Sequence, residues 1–156
     1  HPRRAFLYTS TDGIDWRWIT EFFLPDDIWN ASETTLRFMP DGELIALTRP
    51  HWIGTSNPPY KNWQWTRIDA NLGGPNFIRL PDGALWASAR GRNEDGNSAT
   101  VLARMTRNSY EPALCLPSGG DCSYPGLVWH DDLLWMTYYS SHEGKTSIYL
   151  ARIRLR

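Results

Sequence analysis

Thr35-Leu36-Arg37-Phe38-Met39-Pro40-Asp41-Gly42-Glu43-Leu44-Ile45-Ala46-Leu47-Thr48-Arg49 is the stretch that decides the fold. Pro40-Asp41-Gly42 separates two apolar runs. Pro presets φ and Gly accepts a positive φ, so the segment reads as strand, two-residue turn, strand. The unit returns as Asn76-Phe77-Ile78-Arg79-Leu80-Pro81-Asp82-Gly83-Ala84-Leu85-Trp86-Ala87-Ser88-Ala89-Arg90. A third copy runs from Gly126 to Tyr139, with Asp131-Asp132 at the turn. Asp41, Asp82 and Asp131 stand 41 and 49 residues apart. A period in the forties with several strands per unit matches a propeller blade better than a helical solenoid. Leu44-Ile45-Ala46-Leu47 and Leu133-Leu134-Trp135-Met136 do not alternate with polar residues, as expected of sheets covered on both faces.

Outward from these hairpins, each repeat needs outer strands. They are expected at Trp52–Ser56 and Trp63–Ile68, then at Ala99–Met105 and Glu111–Leu116. The chain start supplies Arg4–Thr9 and Trp16–Phe23, and the chain end Ser147–Leu155. Thirteen strands then group as two, four, four and three. The expected units are 1–30 (partial), 31–70, 71–117 and 118–156, the last lacking its fourth strand. The fold class is all-β: about three four-stranded antiparallel blades, half of a propeller. Such an arc leaves bare sheet faces and edges at its ends. It is expected either to belong to a longer chain or to associate with copies of itself, as a homodimer.

The totals agree. The 156 residues include nine Trp, seven Tyr and five Phe beside twelve Gly and eleven Pro, a mixture for short strands and tight loops rather than long helices. A net charge of −1 with mixed signs gives no electrostatic case for nucleic acid or an anionic membrane. No apolar run reaches the roughly 18 residues of a membrane span. No segment reads as a signal peptide, and His1-Pro2-Arg3-Arg4, without an initiator Met, reads as a cut or mature end. Cys115 and Cys122 are either a hairpin disulfide across Pro117-Ser118-Gly119-Gly120 or two free thiols. The four His and two Cys show no metal-ligand spacing, and no cofactor is expected.

Ser10-Thr11-Asp12-Gly13-Ile14-Asp15-Trp16 resembles the Asp box of sialidases and related propellers, one residue short of Ser-x-Asp-x-Gly-x-Thr-Trp. Ser56 to Trp63 keeps the eight-residue spacing but has lost the Asp and Gly. Asp12 is expected to accept backbone hydrogen bonds in the turn, and the Trp to pack between blades; neither is catalytic. Over its whole length the chain is similar to the C-terminal half of a six-bladed, sialidase-like (BNR/Asp-box repeat) protein. Ser123-Tyr124-Pro125-Gly126-Leu127 and Ser147-Ile148-Tyr149-Leu150-Ala151-Arg152 resemble its closing blade. Members of this family are often secreted or periplasmic.

The resemblance implies a chemistry. Three arginines grip the sugar carboxylate, because a guanidinium fork matches it. A Tyr is the nucleophile, activated by a Glu. Carried over residue by residue, Tyr124 is the nucleophile position, although the family follows its Tyr with small residues and this chain has Pro125. Glu33 precedes Arg49 by 16 residues, as in the family's Glu-then-Arg arrangement. Glu33 would then be the activating base and Arg49 a carboxylate ligand. Arg90 stands at the same phase of its repeat as Arg49, with Arg92 as substitute; otherwise Arg90 pairs with Glu94 or Asp95. Tyr138 and Tyr139 share that phase, and Tyr139 is taken to line the substrate mouth.

The first arginine and the general acid Asp belong to earlier blades, and Asp26 and Asp27 do not match the acid motif. The expected function is therefore a sialidase-like glycoside hydrolase fragment that recognises an anionic sugar and is inactive as an isolated monomer. The alternative is a non-catalytic carbohydrate- or protein-binding propeller module that self-associates. The exposed Trp29 and Trp52 are candidates to stack on a sugar, against a default role in packing.

Overall fold

The computed structural model describes residues 4–25 and 31–155. Asp26, Asp27 and Trp29 lie outside the described residues, as do His1, Pro2 and Arg3. Thirteen strands are present among the described residues. β1 (Phe6–Thr9) and β2 (Arg17–Glu21) form a two-stranded sheet. β3 (Thr34–Phe38), β4 (Leu44–Thr48), β5 (Trp52–Ser56) and β6 (Gln64–Arg67) form a four-stranded one. β7 (Gly73–Arg79), β8 (Leu85–Arg92), β9 (Ser98–Met105) and β10 (Tyr110–Cys115) form another. β11 (Ser123–His130), β12 (Leu133–Ser140) and β13 (Ser147–Ile153) form a three-stranded sheet. Each sheet is an antiparallel meander, so the architecture is a run of propeller blades. No described helix is long and apolar enough to cross a membrane.

The hairpin turns differ from the two-residue expectation. Met39 and Glu43 bracket a three-residue loop: Gly42 N–H donates to the Met39 carbonyl at 3.0 Å and Met39 N–H to the Glu43 carbonyl at 2.7 Å. Leu80 and Ala84 close the second loop likewise, at 3.0 and 2.8 Å. The cause is Pro, whose ring forbids the positive φ of a two-residue primed turn. It takes the first corner of an ordinary turn, and Gly42 (φ 87°) and Gly83 (φ 94°) supply the left-handed residue after it. The third hairpin has no Pro and does use two residues: Asp131 and Asp132, at φ 49° and 56°, connect the paired His130 and Leu133.

Three apolar clusters join the four sheets in series. Phe22, Leu24 and Ala31 meet Trp52 between the first and second. Ile45, Leu47 and Ile53 meet Phe77, Ala87 and Met105 between the second and third. Trp86 and Leu102 meet Leu134, Met136 and Tyr138 between the third and fourth. β4 is buried at every position, as a strand covered on both faces must be. β12 is not: its inner side is buried and the alternate residues are more open, because the last sheet is covered on one face only. Trp52 is 2 % exposed, so it is core and presents no sugar platform.

The loop Ser10–Trp16 is closed by Asp12, whose Oδ1 accepts the N–H of Ile14 at 2.8 Å and of Asp15 at 2.9 Å. Those bonds, led by Ile14, hold its pKa down to about 2. Trp16 does not pack between blades; it is 62 % exposed, with no described blade on that side of the first sheet. The corresponding Trp63 does pack, on Phe22 at 4.8 Å and Trp65 at 5.4 Å. Cys115 is exposed, Cys122 is buried, and both are free thiols, so the hairpin disulfide is not formed.

Candidate functional site

The innermost strands β3, β7 and β11 lie side by side, tied by one residue. Asn76 Oδ1 accepts from Thr35 Oγ1 at 3.2 Å and Arg37 Nη2 at 3.0 Å, and its Nδ2 donates to the Pro125 carbonyl at 2.8 Å. Thr35, Asn76 and Pro125 share one phase of the repeat. A site built just above this level draws on three sheets at once.

Glu33 stands immediately before β3 and Arg49 immediately after β4. Arg49 N–H donates to the Glu33 carbonyl at 3.0 Å, extending the ladder one residue past the strands. Their side chains meet as well, Arg49 Nη1 lying 3.2 Å from Glu33 Oε2. The same Oε2 accepts the N–H of Gly74 at 2.9 Å. Glu33 Oε1 accepts the hydroxyl of Tyr124 in a short hydrogen bond. Three donors from three sheets therefore converge on one carboxylate. Burial works to raise the Glu33 pKa, but Tyr124, Gly74 and Arg49 outweigh it and hold it below the usual value. The hydrogen bond to Glu33 and that carboxylate's charge raise the Tyr124 pKa, so the phenol is protonated at rest.

Two matching irregularities make this geometry. The β7–β8 register shifts between Gly73 and Asn76, and the β11–β12 register between Ser123 and Gly126. Gly74 (φ 55°) and Tyr124 (φ 49°) lie in these bulges. A bulge re-aims side chains, and here it turns Tyr124 toward Glu33. Pro125 is accommodated within its bulge. A Cβ on Gly74 would fall 2.8 Å from Ser123 Oγ and 2.9 Å from Tyr124 Cδ1. Gly74→Ala is expected to destabilise the fold by about 2–4 kcal/mol, from overpacking plus a left-handed backbone. A urea unfolding series checks it.

Arg90, in β8, reaches Asp121 rather than Glu94 or Asp95, and the two form a short ion pair. Tyr139, in β12, stacks on Tyr124 with centroids 6.1 Å apart and planes at 19°. Burial, and then a hydrogen bond to Asp121, push the Tyr139 pKa up to about 12. Tyr138 instead faces the third sheet, its hydroxyl bonded to the Pro117 carbonyl at 2.9 Å. Arg49, Arg90 and Arg92 line one cavity of about 210 Å³ with Asn71, Gly73 and Ser98. Arg92 Nη1 also donates to the Gly96 carbonyl at 2.6 Å.

Glu33, Arg49, Arg90, Tyr124 and Tyr139 are thus brought into one neighbourhood. Gly74 and Asp121 belong to it and were not anticipated. The Gly73-Gly74 pair before a strand is a bulge signal that could have pointed to the first; nothing local marks Asp121. A phenol hydrogen-bonded to an ionised carboxylate, beside two guanidiniums, can deliver a nucleophile to a carbon that also carries an anionic group.

The sequence matches no family model and no curated protein sequence. Solved structures do match. One is a protein of unknown function from Dyadobacter fermentans, at 20 % identity and TM-score 0.78, covering 97 % of this chain and 45 % of that one. Another is a putative exo-β-1,3-galactanase from Bifidobacterium bifidum, at 13 % identity and TM-score 0.65, covering 94 % and 57 %. A third is the GH93 α-L-arabinofuranosidase of Fusarium graminearum, at 15 % identity and TM-score 0.61, covering 80 % and 45 %. The chain spans about half the length of these proteins. At such identities the likeness shows the fold, a partial β-propeller of the kind that carries glycoside hydrolases.

Proposed function

We propose that this chain is the catalytic-site half of a sialidase-like glycoside hydrolase, acting on an anionic sugar by retaining chemistry. The observation that carries the reading is the Tyr124 hydroxyl held on the Glu33 carboxylate, with Arg49 on the same carboxylate. A phenol suits this substrate because a carboxylate nucleophile would be repelled by the sugar's own charge. Tyr124 Oη bonds to the anomeric carbon, its proton passes to Glu33, and the leaving oxygen departs with the electron pair of the broken bond. Arg49 and Arg90 grip the sugar carboxylate. When that carboxylate competes for Arg49, Glu33 loses part of what depresses its pKa and becomes a better base as attack begins. The leaving oxygen needs a proton from a general acid, which the resemblance assigns to blades before this segment. The isolated chain should therefore hydrolyse ordinary glycosides poorly.

Titration with N-acetylneuraminic acid tests the reading, with methyl β-galactoside as neutral control. Saturable binding of the acid alone is expected. Equal binding of both sugars, or of neither, overturns the anionic specificity.

A second reading, a module that associates through its open blade faces, is favoured by the repeat itself. Trp63 and Trp65 are packed on Phe22, whereas Trp16 and Trp18, at the same places in the first sheet, are 62 % and 60 % exposed. At the other end Trp135 under Arg152 repeats Trp86 under Arg104, and only Trp86 is covered by a further sheet. In this reading the occupant of both faces is a second copy of the chain. Light scattering at micromolar concentration should then give twice the chain mass; a clean monomer discards this reading.

A further inference from the structure

The ion pair between Arg90 and Asp121 bears on what the arginine cavity will accept. Each arginine of the proposed clamp already has a carboxylate of the chain: Arg49 has Glu33 and Arg90 has Asp121. Glu33 has an assigned task at Tyr124. Asp121 has none, and its side chain is 68 % exposed beside a guanidinium that is 30 % exposed. A surface aspartate with no packing role needs no arginine, but an arginine bound to one is not a free anion receptor.

The surroundings place Asp121 on the substrate's side of the site. The Asp121 carboxylate helps to raise the Tyr139 phenol, and that ring lies against the Tyr124 ring. Arg90 is seated over Gly73, where an added Cβ would fall 2.9 Å from its Nε. The segment leading to Asp121 contains Gly120 at φ 63° and is held by Ser141 N–H donating to the Gly119 carbonyl at 3.0 Å.

We infer that Asp121 is a specificity-determining residue, a built-in carboxylate that occupies Arg90 and must be displaced by the carboxylate of an incoming sugar acid. This rests on the anion-site reading given above. An occupied clamp rejects small anions and weakly bound acids, because a ligand must recover the lost pair through its remaining contacts. A neutral glycoside does not meet this barrier. A sugar acid with a well-matched ring does, and overcomes it through contacts at Arg49 and Tyr139 as well.

The test is a binding titration of the intact chain with N-acetylneuraminic acid, using Asp121→Asn. Removing one charge from beside the guanidinium keeps the shape of the loop. The variant is expected to bind the acid about tenfold more tightly than the unmodified chain, with no change for methyl β-galactoside. Adding Arg90→Ala should erase the gain. A gain in affinity cannot come from misfolding. If Asp121→Asn weakens binding or leaves it unchanged while the unmodified chain binds the acid, Asp121 only positions Arg90 and the inference falls, with the anion site intact. If neither protein binds the acid, the anion-site reading falls and takes this inference with it.

Discussion

Glu33→Gln is expected to slow glycosyl transfer to Tyr124 by about 10²–10⁴-fold, the usual contribution of a positioned general base. Affinity for the sugar acid should stay within a few-fold. The reason lies in the donors that Glu33 collects. Oε1 takes the Tyr124 hydroxyl, while Oε2 takes Arg49 and Gly74. An amide has one acceptor oxygen, so Gln cannot serve both sets. If its oxygen stays on Arg49 and Gly74, its NH₂ faces the phenol and no group remains to take the proton.

The same substitution should move the Tyr124 titration. The hydrogen bond and charge of Glu33 raise the phenol above its ordinary value of 10.0, so the wild-type residue ionises only on the alkaline side of that value. In Glu33→Gln the two largest raising causes are gone while burial, Arg49 and Arg90 remain, so ionisation shifts to lower pH. Ultraviolet difference titration near 295 nm, with Tyr124→Phe as blank, reads the shift. An unmoved titration would mean that Glu33 does not govern the phenol. Glu33 itself has a depressed pKa, so its contribution to stability is full above the unfolded carboxyl value of about 4.5 and is lost as pH falls through the folded value.

Arg49→Ala is expected to weaken binding of N-acetylneuraminic acid by about 10- to 100-fold, the worth of charge-assisted hydrogen bonds to one carboxylate. The fold should lose little, about 0.5–1 kcal/mol, because the pair with Glu33 is partly exposed to water. Arg49→Lys should recover only part of the affinity, since an ammonium lacks the planar fork. Calorimetric titration alongside urea unfolding separates the two effects. A large stability loss with unchanged affinity would make Arg49 a structural link between the ends of β3 and β4.

The hairpins and the two, four, four and three grouping were legible because Pro-Asp-Gly punctuates apolar runs at a blade-length period. The turn is one residue longer than the pattern suggests because the fixed φ of Pro bars it from the tighter turn and puts it in the loop with Asp and Gly. Trp52 was read as exposed and is core: a Trp gives no local sign of which face of a strand it occupies. Arg49, Arg90 and Tyr139 could be grouped because they stand at one phase of the repeat, and phase sets height on the propeller, whereas Glu33 and Tyr124 were reached only through the resemblance to sialidase-like proteins. Gly74 and Asp121 escaped notice because their positions depend on bulges and on loop packing, which no periodic pattern records.

The most direct measurement is covalent capture. A 3-fluorinated sialosyl fluoride carries a leaving group that needs no proton, so the reaction does not wait on a general acid outside this segment. The ring fluorine slows breakdown of the intermediate. Intact-mass and peptide mass spectrometry should then find one sugar per chain, on Tyr124, absent in Tyr124→Phe and much slower to form in Glu33→Gln. A chain that binds the sugar but stays unlabelled, or is labelled elsewhere, would contradict a nucleophilic Tyr124.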